Sequence, residues 1–313
     1  MKYFKYLIIA LPLLLVGLVL MYVSDDLPAD YLEQKYSDEH SQFMDVAGIR
    51  THYKVEGSGP ILLLIHGTAA SLHTWDDWVQ SLAEHFTLIR LDIPAFGLTG
   101  ATQERDYSID FYTRYLDAFV TKLNIEKFSL AGNSLGGRIA WNYVVKNPTS
   151  VEKLILIDAA GIPGNPVPDV IKLAQTSIGA LILRHISSRW FIQKNLEQVY
   201  TNDSKISEQL IDRYWEMGLR VGGRQAFIDR ANAHLDTDIE LLQSIDIPTL
   251  VMWGRDDIWI PVENAYEFDQ RIPNSTLIIY DQVGHVPMEE IPLITANDAL
   301  QFLQGEEPVK SGQ

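Results

Sequence analysis

The sequence predicts an α/β fold: a mostly parallel, twisted sheet flanked by helices, with an inserted helical lid and one N-terminal transmembrane helix ahead of it. Three observations predict it. Short apolar runs alternate with amphipathic helical stretches from residue 61 onward. The alternation lapses between about residues 163 and 236, where only helical patterns occur, and then resumes. Finally, the run from Lys127 to Gly132 leads directly into Gly132-Asn133-Ser134-Leu135-Gly136 and then into helix-forming sequence.

From the beginning of the chain, Lys5 and Asp25 bracket 19 uncharged residues, and Leu7 to Val23 is nearly all aliphatic. As a helix that stretch spans roughly 28 Å, about the thickness of a hydrocarbon core. Lys2 and Lys5 precede it, while Asp25, Asp26 and Asp30 follow. This charge asymmetry predicts an anchor over residues 1–24, with its start in the cytoplasm and the remaining chain outside it, on the periplasmic or extracellular face. A cleaved signal peptide is the competing reading, but the nearest candidate site, Leu27-Pro28-Ala29, is poor. Residues 25–42 are acidic and show little apolar periodicity, so they are expected to be a solvated spacer.

Phe43–Val46 and Ile49–Val55 flank Ala47-Gly48, the pattern of a β-hairpin. Ile61–Ile65 is a continuous apolar run, as expected for a strand buried on both faces. A helix over Ser71–His85, a strand over Thr87–Ile93, a helix over Ser108–Leu123, the strand entering the glycine turn, a helix over Arg138–Lys146 and a strand over Val151–Ile157 complete a first core part, residues 43–162. The lid, residues 163–236, carries helical patterns over Val170–Ile186, Trp190–Val199, Ser207–Leu219 and Arg224–Ala233. A second core part, residues 237–305, holds strands at Pro248–Trp253 and Thr276–Tyr280 and helices at Val262–Gln270 and Ile294–Leu303; a tail, 306–313, follows. A helical insertion between strands of such a sheet is most simply a cover over the strand ends, where these sheets place their sites.

Composition removes several classes of function. With 313 residues and 47% hydrophobic content, the chain has a large core to bury. Its formal charge of −16 argues against nucleic acid or anionic lipid headgroups as the main partner. It has no cysteine, which excludes disulfides and thiolate metal sites, and its eight histidines include no metal-binding pair at helical spacing, so no metal is expected.

The chemistry centres on Ser134. Glycines at positions 132 and 136 permit a tight strand-to-helix turn that presents the hydroxyl at the start of a helix, where the amides favour developing negative charge. A serine nucleophile needs a base, and the base needs an acid to orient it. Both follow in the expected order, on turns beyond strands: Gly254-Arg255-Asp256-Asp257, then Gly284-His285. At this point the chain resembles the α/β-hydrolase superfamily over residues 43–303. His66-Gly67-Thr68 looks like the family's oxyanion loop. Asp92-Ile93-Pro94-Ala95-Phe96-Gly97 looks like its Asp-x-Pro-Gly-x-Gly turn, with Ala95 replacing the usual glycine. Gly254-x-x-Asp257 followed by Pro261 matches the acid turn, and Gly284-His285 with Glu289 or Glu290 and Pro292 downstream matches the histidine loop.

The resemblance implies a serine hydrolase without a cofactor, in which Ser134 attacks, His285 is the base and Asp257 the acid, with the Thr68 and Leu135 amides as the oxyanion hole. Asp256 and Asp158 are alternative acids; the Gly-x-x-Asp spacing favours Asp257. His66 is expected to pin the oxyanion loop, whereas His52, His73 and His234 show no partner in the sequence. The implied substrate is a small or medium carboxylic ester. The turn Gly132-Asn133-Ser134-Leu135-Gly136-Gly137 also resembles that of the carbon–carbon bond hydrolases that cleave ring-opened aromatic diketones, which makes Asn133 and the lid residue Arg213 candidate substrate contacts and a diketone the alternative substrate. Two departures weigh against that: Val286 stands where those enzymes carry tryptophan, and they lack an export segment. A non-catalytic, membrane-tethered binding module on the same fold is the alternative of another class.

Overall fold

The structure, a computed structural model, describes residues 23–235 and 238–306. The expected anchor over 1–24 and the tail lie almost entirely outside the described residues. Among those described, no helix is long and apolar enough to cross a membrane.

Eight strands form one sheet: β1 (Ser41–Val46), β2 (Ile49–Gly57), β3 (Ile61–Ile65), β4 (Thr87–Leu91), β5 (Phe128–Asn133), β6 (Val151–Ile157), β7 (Thr249–Gly254) and β8 (Ser275–Tyr280). Their order is β1-β2-β4-β3-β5-β6-β7-β8, antiparallel in the first two pairings and parallel in the rest. The central strands are buried on both faces, which is why Leu62–Ile65 and Thr249–Gly254 read as continuous apolar runs rather than alternating ones. Register brings Ile65 opposite Gly132, Asn133 opposite Ile157, Ile157 opposite Met252 and Gly254 opposite Tyr280. The loops that carry His66, Ser134, Asp158, Asp257 and His285 therefore leave the sheet along one edge.

Helices cover both faces. Trp141, Tyr143 and Phe119 pack into the core on one side, and Trp75, Trp78 and Phe302 on the other. Asp92, at the end of β4, is a buried knot: it accepts the Leu72 and Leu98 amides, each at 2.7 Å, and pairs with His52 Nδ1 at 2.8 Å. Burial opposes its charge, but the His52 hydrogen bond and the neighbouring imidazoles hold its carboxyl below the usual range. His52 thus has the partner that the sequence did not reveal.

Two expectations are corrected. Residues 25–42 are no solvated spacer. Helix α1 (Ala29–Tyr36) buries Leu32 completely, beside Leu98 and Met217, and Leu27 exchanges backbone hydrogen bonds with Leu219 and Val221. The apolar residues of this segment are too few to show a period, but they are spaced to meet the lid. The helix expected over Val170–Ile186 is broken in two, Asp169–Ala174 and Ser177–His185, because the Thr176 hydroxyl caps the second by accepting the Gly179 amide at 3.0 Å.

The glycine turn is enforced by backbone on both sides. A Cβ at Gly136 would sit 2.2 Å from the Ile65 carbonyl oxygen, and one at Gly132 would sit 2.3 Å from that of Gly136. Neither partner is a side chain that can swing away. Gly136→Ala is therefore expected to lower stability by about 1–3 kcal/mol, read as a fall in Tm by circular dichroism. An unchanged Tm would mean that the strand and helix are not held this closely.

Candidate active site

Ser134 joins β5 to the helix Leu135–Lys146 with φ 54° and ψ −116°, an unfavourable conformation for a residue with a side chain. Its amide donates to the Ile157 carbonyl at 3.0 Å, and its own carbonyl accepts from Arg138 and Ala160 at 3.0 and 2.9 Å. These bonds on both sides of the residue hold the strained turn and leave the hydroxyl facing the cleft, which Ser134 and His285 line together with Thr68 and Asn133.

His285 Nδ1 lies 2.6 Å from Asp257 Oδ2, and both residues are buried. The other Asp257 oxygen accepts the Trp259 and Ile260 amides at 2.7 and 2.9 Å. One oxygen is fixed to the backbone and the other orients the imidazole. Asp256, by contrast, is exposed, and of the two adjacent acids it is Asp257 that meets the imidazole. The histidine loop is anchored by Glu290, whose oxygens accept the amides of Gly284 at 2.6 Å and of Thr201 and Asn202 at 3.1 Å. Glu290 thereby ties the loop to the lid, and the His285 amide adds a bond to the Val199 carbonyl at 2.8 Å.

The loop after β3 packs directly on Ser134: a Cβ at Gly67 would lie 3.1 Å from the Ser134 Cβ. His66 is buried and pins this loop, as expected. The Ile93 amide donates to Nε2 at 3.1 Å, so the proton sits on Nδ1 and is donated to the Gly67 carbonyl at 2.8 Å. Burial lowers its pKa and keeps it neutral. Asn133 does not reach into the cleft as a donor: its amide nitrogen donates to the Ile157 and His285 carbonyls at 3.1 and 3.0 Å. It locks the nucleophile strand to the histidine loop, a positioning task.

Arg213 is not among the side chains that line the cleft. Its Nη1 lies 3.7 Å from Asp76 Oδ2, and it neighbours the buried Glu289. Burial raises the Glu289 pKa, and Tyr200, Tyr214 and Thr74 hydroxyls surround its carboxyl. The cation on the cleft wall is Arg224, whose Nη2 pairs with Asp26 Oδ1 at 2.6 Å. Nothing in its spacing distinguishes it from other lid arginines, and the sequence did not single it out. The remaining wall is mostly apolar, with Ile171, Leu183, Ile186, Phe191, Phe227 and Trp259, interrupted by Ser187, Asn195 and Tyr214.

Asp158, at φ 43° after β6, is a second buried acid beside Asp257 and His285. Polar atoms of Asp158, Asp257 and His285 all lie within 4.8 Å of one another. Its Oδ1 accepts the Gly254 amide at 3.1 Å, and the carboxyl shares a hydrogen bond with that of Asp257. Burial, reinforced by the Asp257 charge, raises its pKa well above the ordinary carboxylate range. The folded chain thus keeps a proton that the unfolded chain has lost above about pH 3.9, so this group lowers stability as the pH rises from there toward the folded pKa. Asp158→Asn, a neutral isostere, is expected to raise Tm at pH 8 by about 2–4 °C and to flatten its decline from acidic to alkaline pH. Parallel Tm profiles for the two proteins would contradict this.

Comparison with known proteins agrees with this geometry. A family model described as alpha/beta hydrolase fold matches residues 60–292. A 2-hydroxy-6-oxo-6-(2'-aminophenyl)hexa-2,4-dienoic acid hydrolase of Metapseudomonas resinovorans is 30% identical, over 88% of this chain and 95% of its own. A pimeloyl-[acyl-carrier protein] methyl ester esterase of Nitrosomonas europaea is 25% identical, over 80% of this chain and 98% of its own. The crystal structure of a membrane phospholipase A, described as a bacterial virulence factor, superposes with a TM-score of 0.75 at 26% identity, covering 97% of this chain and 99% of that one.

Proposed function

The chain belongs to the alpha/beta hydrolase fold family, and on that premise we propose that it is a membrane-anchored serine esterase. The observation that carries the reading is the cleft itself: a strained serine and an Asp257-oriented His285 facing apolar walls. His285 Nε2 takes the hydroxyl proton as Ser134 Oγ attacks the ester carbonyl. The Thr68 and Leu135 amides hold the oxyanion, each donor contributing about 2.7–4 kcal/mol. The imidazolium returns its proton to the departing alcohol, leaving an acyl-enzyme. Water, deprotonated by the same histidine, then attacks and releases the acid. Walls of Ile, Leu and Phe suit the acyl chain of a small or medium ester.

The membrane part of the proposal rests on the 19 uncharged residues before Asp25 and on the lysines ahead of them, which orient the catalytic domain outside the cytoplasm. Similarity to a membrane phospholipase A along nearly the whole chain supports it. A second reading, cleavage of a carbon–carbon bond in a ring-fission diketone, is favoured by the Metapseudomonas hydrolase. Arg213, held against Asp76 outside the cleft, gives that reading no carboxylate contact. The test is an ester panel graded by acyl length, assayed on the full-length protein beside a ring-fission diketone. Turnover of esters with little on the diketone is expected, and the reverse order of kcat/KM would replace the proposal. Protease added to intact spheroplasts should digest the catalytic domain; a shielded domain would refute the orientation.

A further inference from the structure

The lid hairpin has two apolar faces. Its inner face lines the cleft through Leu183, Ile186, Phe191 and Ile192. Among the described residues nothing covers its outer face. Ile178, Leu181 and Ile182 stand at i, i+3 and i+4 on the helix Ser177–His185, exposed by 75, 56 and 41%, and Trp190, opening the next helix, is 63% exposed. A stripe of large apolar side chains turned to solvent marks an interaction surface.

The chain itself says what covers it. Val23, the last residue of the apolar stretch, forms a bridge with Ile186, and the Ser24 hydroxyl donates to the Ser187 carbonyl at 2.8 Å. Leu27 bonded to Leu219, Asp26 paired with Arg224 and Lys35 with Glu216 then strap the following segment to the lid. The point where a bilayer-length stretch ends is thus fixed on the hairpin that bears the stripe. Charge adds no net attraction, because Lys172, Arg189 and Lys194 of the hairpin pair with Asp169, Asp212 and Glu197. The apolar stripe itself complements the acyl layer of a lipid surface.

We propose that the outer stripe of the lid hairpin, Ile178, Leu181, Ile182 and Trp190, rests on the lipid bilayer, so that the cleft receives its acyl esters from the membrane. This rests on the anchored-esterase reading above. It makes the lid both the cover of the site and its contact with the lipid.

The absence of native cysteine allows single-site labelling. Ile178→Cys and Leu293→Cys variants of the full-length protein, each carrying an environment-sensitive fluorophore, are placed in phosphatidylcholine–phosphatidylglycerol vesicles. Leu293 is 76% exposed on the helix Pro292–Gln304, outside the lid, and serves as the control. The label at 178 should be quenched several-fold more by doxyl-acyl lipid than the label at 293, and shielded from aqueous iodide. Equal access of iodide to both labels would overturn the proposal. Shielding at 178 without lipid quenching would also overturn it and assign the stripe to a second copy of the chain. As a functional arm, Ile178→Asp with Leu181→Asp should hydrolyse a soluble short-chain ester within two-fold of wild type but lose about ten-fold or more on an ester held in vesicles. Equal rates on the vesicle substrate would refute delivery from the lipid. Lipid quenching at 178 in a protein that turns over no ester would support the docking and overturn the esterase reading, which keeps the two failures apart.

Discussion

Replacing Ser134 by alanine is expected to lower kcat on the best ester by about 10⁵–10⁶-fold, the scale seen when a triad nucleophile is lost. Its hydroxyl is the only protein group in the scheme that bonds to the substrate carbon. The fold should be untouched, because the turn is held by the Ser134 amide and carbonyl, bonded to Ile157, Arg138 and Ala160, and by the contacts of Gly132 and Gly136. None of these uses the side chain. Steady-state kinetics and Tm, measured together, check both halves. An alanine variant with activity within ten-fold of wild type would show that another group attacks the substrate.

Asp257→Asn is expected to cost about 10⁴-fold in kcat. An amide in place of the Asp257 oxygen that faces His285 Nδ1 would favour the wrong imidazole tautomer, and it would remove the charge that stabilises the imidazolium. Asp256→Asn should change kcat by less than three-fold, because that carboxylate is exposed. Asp158 gives the pair of variants added interest. It lies within the same cluster as Asp257 and His285 and holds its proton, so it cannot replace the missing charge without first losing that proton. Activity of Asp257→Asn that recovers at alkaline pH would show Asp158 taking over. Equal losses in the two neighbouring variants would reverse the assignment of the acid.

Much of this arrangement was legible in the residues. The strands were readable because burial on both faces leaves runs such as Ile61–Ile65 with no polar interruption. Ser134, Asp257 and His285 stood out as candidates because each follows a strand at a glycine-bearing turn, and at Gly132 and Gly136 a side chain would meet backbone. What was not legible depends on contacts between distant segments. Helix α1 owes its place to one fully buried leucine, Leu32, meeting Met217 of the lid, and a single apolar residue leaves no period. Arg213 and Arg224 are both lid arginines, and only tertiary packing turns the second onto the cleft and the first onto Asp76. The break at Gln175–Thr176 in the first lid helix depends on a single hydroxyl cap, and the apolar spacing continues across it undisturbed.

The central claim is that Ser134 is a nucleophile activated by the buried His285–Asp257 pair. Reaction of the full-length protein with a fluorophosphonate, followed by peptide mass spectrometry, tests it most directly. The expected result is one stoichiometric adduct on Ser134, formed at least about 10³-fold more slowly in His285→Ala, since the base and nucleophile act as a unit. An adduct on a different serine, or labelling of Ser134 at an undiminished rate without His285, would contradict the account.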